Sequence, residues 1–510
     1  MLIGLLGFGG SATVGLFIGI PEPYVHDEFS YLLAADTFAH GRLTNPTHPM
    51  WAHFESLHII HTPTYMSKYP PAQGLVLAVG QVISGKAIVG VWMSVGLMCA
   101  AICWMLYAWV PASWALLGGF LAVIHPNLGI TGYWAQSYFG GAVAATGGAL
   151  VAGGLRRIMR RPRIRHALLI AIGLAVLANS RPYEGLLFSL PAGAVLLRWM
   201  ISRNGPTLGA STRLIVLPIF VVLAITGMGM GLYNSHVTGS IFRMPYMVYE
   251  ETYSRAPIFL WQKPRPAPIY RHEIFRQYDE DMLDSFYTKQ RSISGFLSGK
   301  KETFRKLLDV YLGSLFALPL VVMLPIMIPW VLRNRWALFA LVTCSMVVLG
   351  FIIETVDGMH YVAPITGLIF VSILQAMRLW RWRDRVTGQF VILLIISVSI
   401  YSLVRFSYHT MKKDHSADWH QQRARIVQNL EQTPGRHLVI VSYGPKHDVH
   451  AEWVYNKSDI DAARVVWGRD MSKTENDELL AYFRDRQVWQ LNVDWDDPSP
   501  ELQPYSRKVR

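Results

Sequence analysis

The stretch AIVGVWMSVGLMCAAICWMLYAW, residues 87–109, holds no charged side chain from end to end. A helix needs about 20 apolar residues to cross the hydrocarbon core of a bilayer. Only helices and closed barrels can cross it, because the backbone there must satisfy its own hydrogen bonds. Runs of this kind recur at 2–20, 112–130, 140–155, 167–180, 183–200, 214–232, 307–332, 336–353, 361–377 and 388–405. The chain therefore reads as an α-helical polytopic membrane protein with about 11 transmembrane helices. PPAQGLVLAVGQVIS, residues 70–84, is apolar but short, and is expected as a re-entrant or interfacial helix. Composition agrees: 52% of the 510 residues are hydrophobic and 16% are charged, where soluble proteins carry about a quarter charged residues.

The formal net charge of +13 invites a nucleic-acid reading. The distribution argues against it, because the basic residues cluster between apolar runs. RRIMRRPRIRH (156–166), RLWRWRDR (378–385), RNR (333–335) and the 198–213 loop are the basic segments. With eleven spans they all fall on one side, as the positive-inside rule requires. The loops around 131–139 and 354–360 hold no Lys or Arg and fall on the other side. This puts the long polar loops 21–70 and 233–306, and the tail 406–510, outside the cytoplasm. Both loops are rich in Tyr, Trp, His and Pro, and their aromatic content points to ordered structure at the lipid interface. Cys99, Cys103 and Cys344 all lie in apolar runs, so neither a disulfide framework nor a zinc site follows. The first twenty residues lack a basic n-region and an A-x-A site, and read as a span and not a signal peptide.

The tail changes character. HLVIVSY (437–443), RVVWG (464–468) and QVWQLNVD (487–494) read as strands, and ENDELLAYFRDR (475–486) as a helix. A small C-terminal α/β soluble domain over 406–510 follows, beside a membrane domain over 1–405. It has no Gly-rich phosphate loop and is assigned no catalysis; it is expected to cap the site or contact the acceptor.

Chemistry gathers in the outer loops. Asp27 and Glu28 follow the first span, and FSYLLAADTFAHGRL after them reads as an amphipathic helix lying on the membrane. Carboxylates there can simply offset a helix dipole. Later in the same loop, YMSKYPPAQG sets Lys68 and Tyr69 before a double proline, which stiffens the turn and fixes where the next helix starts. Lys68 can snorkel to headgroups or, held near carboxylates, meet a phosphate-bearing lipid. Arg181 sits at an outer helix end beside Glu184. His360 and Tyr361, with Asp357, open a later span, and Gln136 and Tyr138 precede a Gly/Ala-rich helix suited to close packing. His48, His53, His58 and His61 share a loop with Glu55, but no local metal-binding spacing appears, so no metal ligand is assigned.

This ordered set resembles the C-type membrane glycosyltransferases that use lipid-phosphate sugars, including protein O-mannosyltransferases and aminoarabinose transferases. QSYFGGAVAATGGALVAGG (136–154), SRPYEG (180–185) and HYVAP (360–364) look like further pieces of a bacterial branch, and the resemblance covers about residues 1–405. It implies a C-type fold in the bacterial cytoplasmic membrane, with the active site on the periplasmic or extracellular side. It implies transfer of a sugar from a polyprenyl-phosphate donor to a protein, lipid or glycan acceptor. Asp27 would be the base and Glu28 would orient the acceptor or hold a cation, though the two roles stay interchangeable. Lys68 would bind donor phosphate, and Tyr69, Arg181, His360, Tyr361, Gln136 and Tyr138 would serve substrate binding. Some relatives use a divalent metal ion and others do not. One carboxylate with a cationic phosphate site suits a single inverting displacement. The competing readings are a transporter or flippase of a lipid-linked saccharide and a non-catalytic assembly protein. Transport would place charges along mid-span segments, and these are nearly free of charge.

Overall fold

The structure is a computed structural model that describes residues 1–412, 418–494 and 500–505. Each of the eleven apolar segments is helical for most of its length. Among the described residues, six helices are long and apolar enough to cross a membrane: Ala87–Trp109, Leu208–Thr238, Leu315–Arg333, Arg335–Ile352, Met359–Arg383 and Arg385–Lys412. The other five candidates form helices of 13 to 19 residues.

Several boundaries differ from the sequence reading, each for a local reason. The expected span 112–130 stops at Ile124, ahead of His125-Pro126, and residues 125–140 form an irregular turn-rich connection. The expected span 307–332 is two helices, Ile293–Tyr311 and Gly313–Arg333, divided where Gly313 takes φ +54°. The expected span 361–377 opens as a 3₁₀ turn, Met359–Ile365, containing Pro364, and becomes an α-helix only at Thr366.

Ala87–Trp109 lies at the centre, packed on Leu2–Ile18, Pro71–Ser84, Ala112–Ile124 and Gly141–Ile158. Pro71–Ser84 and Ala87–Trp109 meet backbone to backbone: a Cβ on Gly80 would lie 2.1 Å from the Gly90 nitrogen. On the basic loop 156–166, Arg157 stacks over Trp104 and Arg156 over Trp336, at 3.9 and 4.1 Å from the ring centroids.

The helix following Asp27 spans His26–Ala39. It does not simply lie on a surface. One face packs on Pro71–Ser84, with Ala34 against Gly74, and the other buries Phe29 and Leu33 against the tail. The tail holds a four-stranded sheet in the order Val465–Arg469, His437–Tyr443, Gln487–Val493, Leu502–Pro504. The first three strands are parallel and the last is antiparallel. The sequence-expected strands and helix are all there, the helix as Lys473–Tyr482. A second helix, Trp419–Gln432, and the short last strand were not legible in advance.

Candidate active site

Two local devices set the site. The first is the start of the His26–Ala39 helix. Val25 is extended, and Glu28 three residues on accepts the backbone N–H groups of Val25 at 3.2 Å and Tyr24 at 2.9 Å. This is the carboxylate half of a capping box. The other Glu28 oxygen accepts the Tyr138 N–H at 2.9 Å, so the buried carboxylate ties this turn to the 131–139 connection. Asp27, one residue earlier, is left to face the open side, at the positive end of the helix dipole.

The second device is a small antiparallel sheet ordered Asn45–Pro46, Thr64–Ser67, Ile59–Ile60. It brings His58 and Lys68 side by side, with the Lys68 N–H on the His58 carbonyl at 3.3 Å. Ser30, from the Asp27 helix, clamps the pair: its hydroxyl lies 2.7 Å from both the His58 carbonyl and the Ser67 hydroxyl. His58 is held at φ +63°, a left-handed conformation that a residue with a Cβ adopts at a cost.

These parts open onto a cavity of about 460 Å³. Asp27, Lys68, Tyr69, Arg181 and Tyr361 line it, together with Tyr246, Tyr249, Tyr278, Glu250 and Glu354. On Asp27 only one oxygen is engaged. Its Oδ1 takes a hydrogen bond from His58 Nδ1 at 2.6 Å and another from the Tyr69 hydroxyl. Its Oδ2 has no hydrogen-bond partner among the described residues. Because Nδ1 of His58 donates, its Nε2 accepts, and the Tyr278 hydroxyl lies there at 3.0 Å. Burial works against charge on Asp27, but the His58 imidazole, the Tyr69 hydroxyl and the Lys68 ammonium together hold its carboxyl below the usual carboxylate range. Burial, then the Lys68 charge, pushes His58 below the usual histidine range, so its ring is neutral at pH 7.

The two cations differ. Lys68 is buried in a cage of tyrosines, with its ammonium 4.2 Å from the Tyr249 ring centroid and 5.1 Å from that of Tyr246. Glu250 lies 3.4 Å from it, and Arg265 approaches the same carboxylate at 3.9 Å. The Arg181 guanidinium stacks over Tyr361 at 4.2 Å and has no hydrogen-bond or ion-pair partner among the described residues. At the same end of the cavity, burial and then the Glu184 charge push the Glu354 carboxyl up to about 9.

The remaining sequence candidates lie off the cavity wall. Gln136 donates to the Ser11 and Ile130 carbonyls at 3.1 and 3.0 Å, and the Tyr138 hydroxyl donates to the Pro21 carbonyl at 3.1 Å. His360 packs its ring on Phe139 at 4.9 Å. The four loop histidines turn to separate partners. His48 meets Asp461 at 3.1 Å, His53 the Arg469 carbonyl at 3.0 Å, and His61 accepts the Ser56 N–H at 3.1 Å. Among the described residues no three His, Cys, Asp or Glu side chains gather as a metal site.

Among solved structures, the chain is similar to ArnT from Cupriavidus metallidurans bound to undecaprenyl phosphate. The TM-score is 0.54 at 13% identity, over 96% of this chain and 92% of that one. The apo state of the same protein gives TM-score 0.54 at 14% identity, over 95% and 92%. The chain shares the fold of that protein. An oligosaccharyltransferase from Archaeoglobus fulgidus, in complex with Zn and sulfate, gives TM-score 0.49 at 10% identity, over 96% of this chain and 67% of that one. No family model matches the chain, and no curated protein does.

The resemblance drawn from the motifs is thus met at the level of fold. Within that fold, sequence reasoning missed His26, Tyr246, Tyr249, Glu250, Tyr278, Glu354 and His450 on the cavity wall. His58 was noticed only as a metal candidate. The aromatic richness of loop 233–306 was the available signal for the tyrosines. For His450, far away in the tail, there was none.

Proposed function

We propose that this chain transfers a sugar from a polyprenyl-phosphate donor to a hydroxyl acceptor, with Asp27 as the base. One observation carries the reading: a single cavity holds a carboxylate with one oxygen free of hydrogen bonds and an arginine that, among the described residues, makes no direct ion pair. The first can take a proton, and the second can meet a phosphate. The undecaprenyl phosphate named with the C. metallidurans structure of the same fold supports a lipid-phosphate donor.

The step balances as follows. The acceptor oxygen attacks the anomeric carbon as its proton passes to Oδ2 of Asp27. The bond from that carbon to the phosphate oxygen breaks, and polyprenyl phosphate leaves with the electron pair and one more negative charge than it had as a diester. Arg181 meets that charge, and the Lys68 ammonium on the same cavity wall adds to the positive field. Attack opposite the leaving group inverts the anomeric centre. The basic segments at 156–166, 333–335 and 378–385 support a cytoplasmic side opposite the site, and hence transfer at the outer face of a bacterial cytoplasmic membrane. Residues 1–405 would carry the reaction and residues 406–510 would cover it.

The test uses membranes carrying the protein and radiolabelled polyprenyl-phosphate sugars. Asp27→Asn is expected to cut label transfer about 100-fold or more. Transfer that survives the substitution unchanged would sink the base assignment. If no donor is cleaved, while vesicles take up lipid-linked saccharide, the chain is a transporter.

A further inference from the structure

Among the described residues, His26 is a cavity residue whose ring nitrogen is buried without a hydrogen-bond partner. Its side chain is buried, 5% exposed, on the first turn beside Asp27. Nδ1 lies 2.9 Å from the Tyr455 hydroxyl. That hydroxyl has one proton, and it donates it to the Leu57 carbonyl at 3.3 Å. With the hydroxyl proton on that carbonyl, the hydroxyl accepts from the ring, and Nδ1 carries the imidazole proton. In this tautomer Nε2 is a bare acceptor. It is buried and has no partner. Burial pushes the His26 ring well below the usual histidine range, so it is neutral at pH 7. An acceptor left unpaired in such a place is costly, and a ligand donor would relieve it.

The walls around it say what donor. The His26 ring sits among Tyr278, His58 and His450, with centroids at 5.3, 5.5 and 6.0 Å. His450 comes from the tail and meets Asp281 of the 233–306 loop at 3.2 Å. The space beside Asp27 is therefore walled by aromatic rings from three distant parts of the chain. Sugar rings present C–H faces that pack on aromatic rings and hydroxyl edges that donate hydrogen bonds. Two acceptors stand on consecutive residues, Oδ2 of Asp27 and Nε2 of His26. Resting on the glycosyl-transfer reading above, we propose that the acceptor is a carbohydrate, its reacting hydroxyl on Asp27 and a neighbouring hydroxyl on His26. A serine or threonine side chain offers one hydroxyl and leaves Nε2 without that partner.

The experiment measures transfer from radiolabelled polyprenyl-phosphate sugars in membranes, with three acceptor arms. These are free oligosaccharides, polyprenyl-diphosphate oligosaccharides and a Ser/Thr-rich peptide. Label on either saccharide arm, and not on the peptide, is expected; the two saccharide arms distinguish a free from a lipid-borne glycan. Removing the hydroxyl next to the reacting one from the acceptor should raise its KM about tenfold or more. His26→Phe should raise the KM of the intact acceptor similarly, acting on acceptor KM more than on donor KM. The deoxy acceptor should then lose little further on the variant. His26→Gln, whose carbonyl oxygen can stand near Nε2, should recover part of the loss. Label on the peptide alone would overturn the proposal, as would a deoxy penalty undiminished in His26→Phe. Donor cleavage measured without acceptor separates the two failures. Cleavage with peptide transfer alone overturns only the carbohydrate acceptor, whereas no cleavage of any donor overturns both readings.

Discussion

Asp27 and Glu28 are neighbours with opposite surroundings. Glu28 has both oxygens on backbone N–H groups of Tyr24, Val25 and Tyr138, which makes it a tie between two loops. Asp27 has one oxygen fixed and one free. The sequence left open which of the two is the base, and the hydrogen bonding favours Asp27. Glu28→Gln is therefore expected to lower the melting temperature of the detergent-purified protein, because an amide nitrogen must then face a backbone N–H, at about 1–3 kcal/mol. A melting temperature unchanged from wild type would contradict that role. The same reasoning reorders the cations. Lys68 already has Glu250 at 3.4 Å, whereas Arg181 makes no direct ion pair among the described residues. Arg181→Ala should raise donor KM more than Lys68→Ala does, in a transfer assay with saturating acceptor. The reverse order would return the phosphate to Lys68. Such distinctions were not legible in the chain, because a residue type and its neighbours in sequence do not say where a side chain's partners come from. Glu250 lies 182 residues from Lys68.

Elements were more legible than residues. Apolar length fixed where helices would be, because the pattern is local and the backbone has no alternative in lipid. Their ends were missed where one residue decides, as at Gly313 and Pro364. The Gly/Ala-rich helix read as a close-packing element is now explicable in detail. A Cβ on Gly148 would lie 1.9 Å from the Pro364 carbonyl oxygen, in the turn that carries Tyr361 beneath Arg181. Gly148→Val is expected to push that turn away, lowering both the yield of folded protein and transfer, whereas Gly193→Val, with nothing within 4 Å, should leave both close to wild type. The loop sheet makes a further prediction through His61. Burial, and next the Arg469 charge, lowers His61 to about 3 from 6.5. The unfolded chain then binds a proton that the folded chain refuses. Stability from this group is complete above pH 6.5 and is lost as pH falls from there toward 3. Melting temperature should therefore fall between pH 6.5 and 5, and fall less steeply in His61→Gln. Equal slopes would remove His61 from the explanation.

At the scale of the molecule, the tail is joined to the site rather than hung beside it. Phe29, two residues beyond Asp27, stacks on Tyr455 with centroids 4.0 Å apart and planes 4° apart. Leu33, Phe54, Ile59 and Tyr65 of the outer loop share one apolar cluster with Leu438, Ile440, Val466 and Leu479 of the tail. Polar bonds reinforce it: the Ser458 N–H meets Asp36 at 2.9 Å, and Arg469 Nε donates to the Glu55 carbonyl at 2.8 Å. The sequence suggested a separate α/β unit because strand and helix periodicities are local, while contacts across some 400 residues leave no local mark. A chain ending at Lys412 would expose half of this cluster around the base. It is expected to lose transfer although Asp27, His58, Lys68 and Arg181 all remain. The finer test is Tyr455. Tyr455→Ala removes the stack and should cost about 3 kcal/mol, making loop 21–70 susceptible to limited proteolysis in intact membranes. Tyr455→Phe keeps the stack and should leave the loop better protected than Tyr455→Ala does, losing only the hydroxyl that meets His26 and the Leu57 carbonyl. If Tyr455→Ala leaves the loop as protected as wild type, this stack is not what holds the Asp27 loop in place.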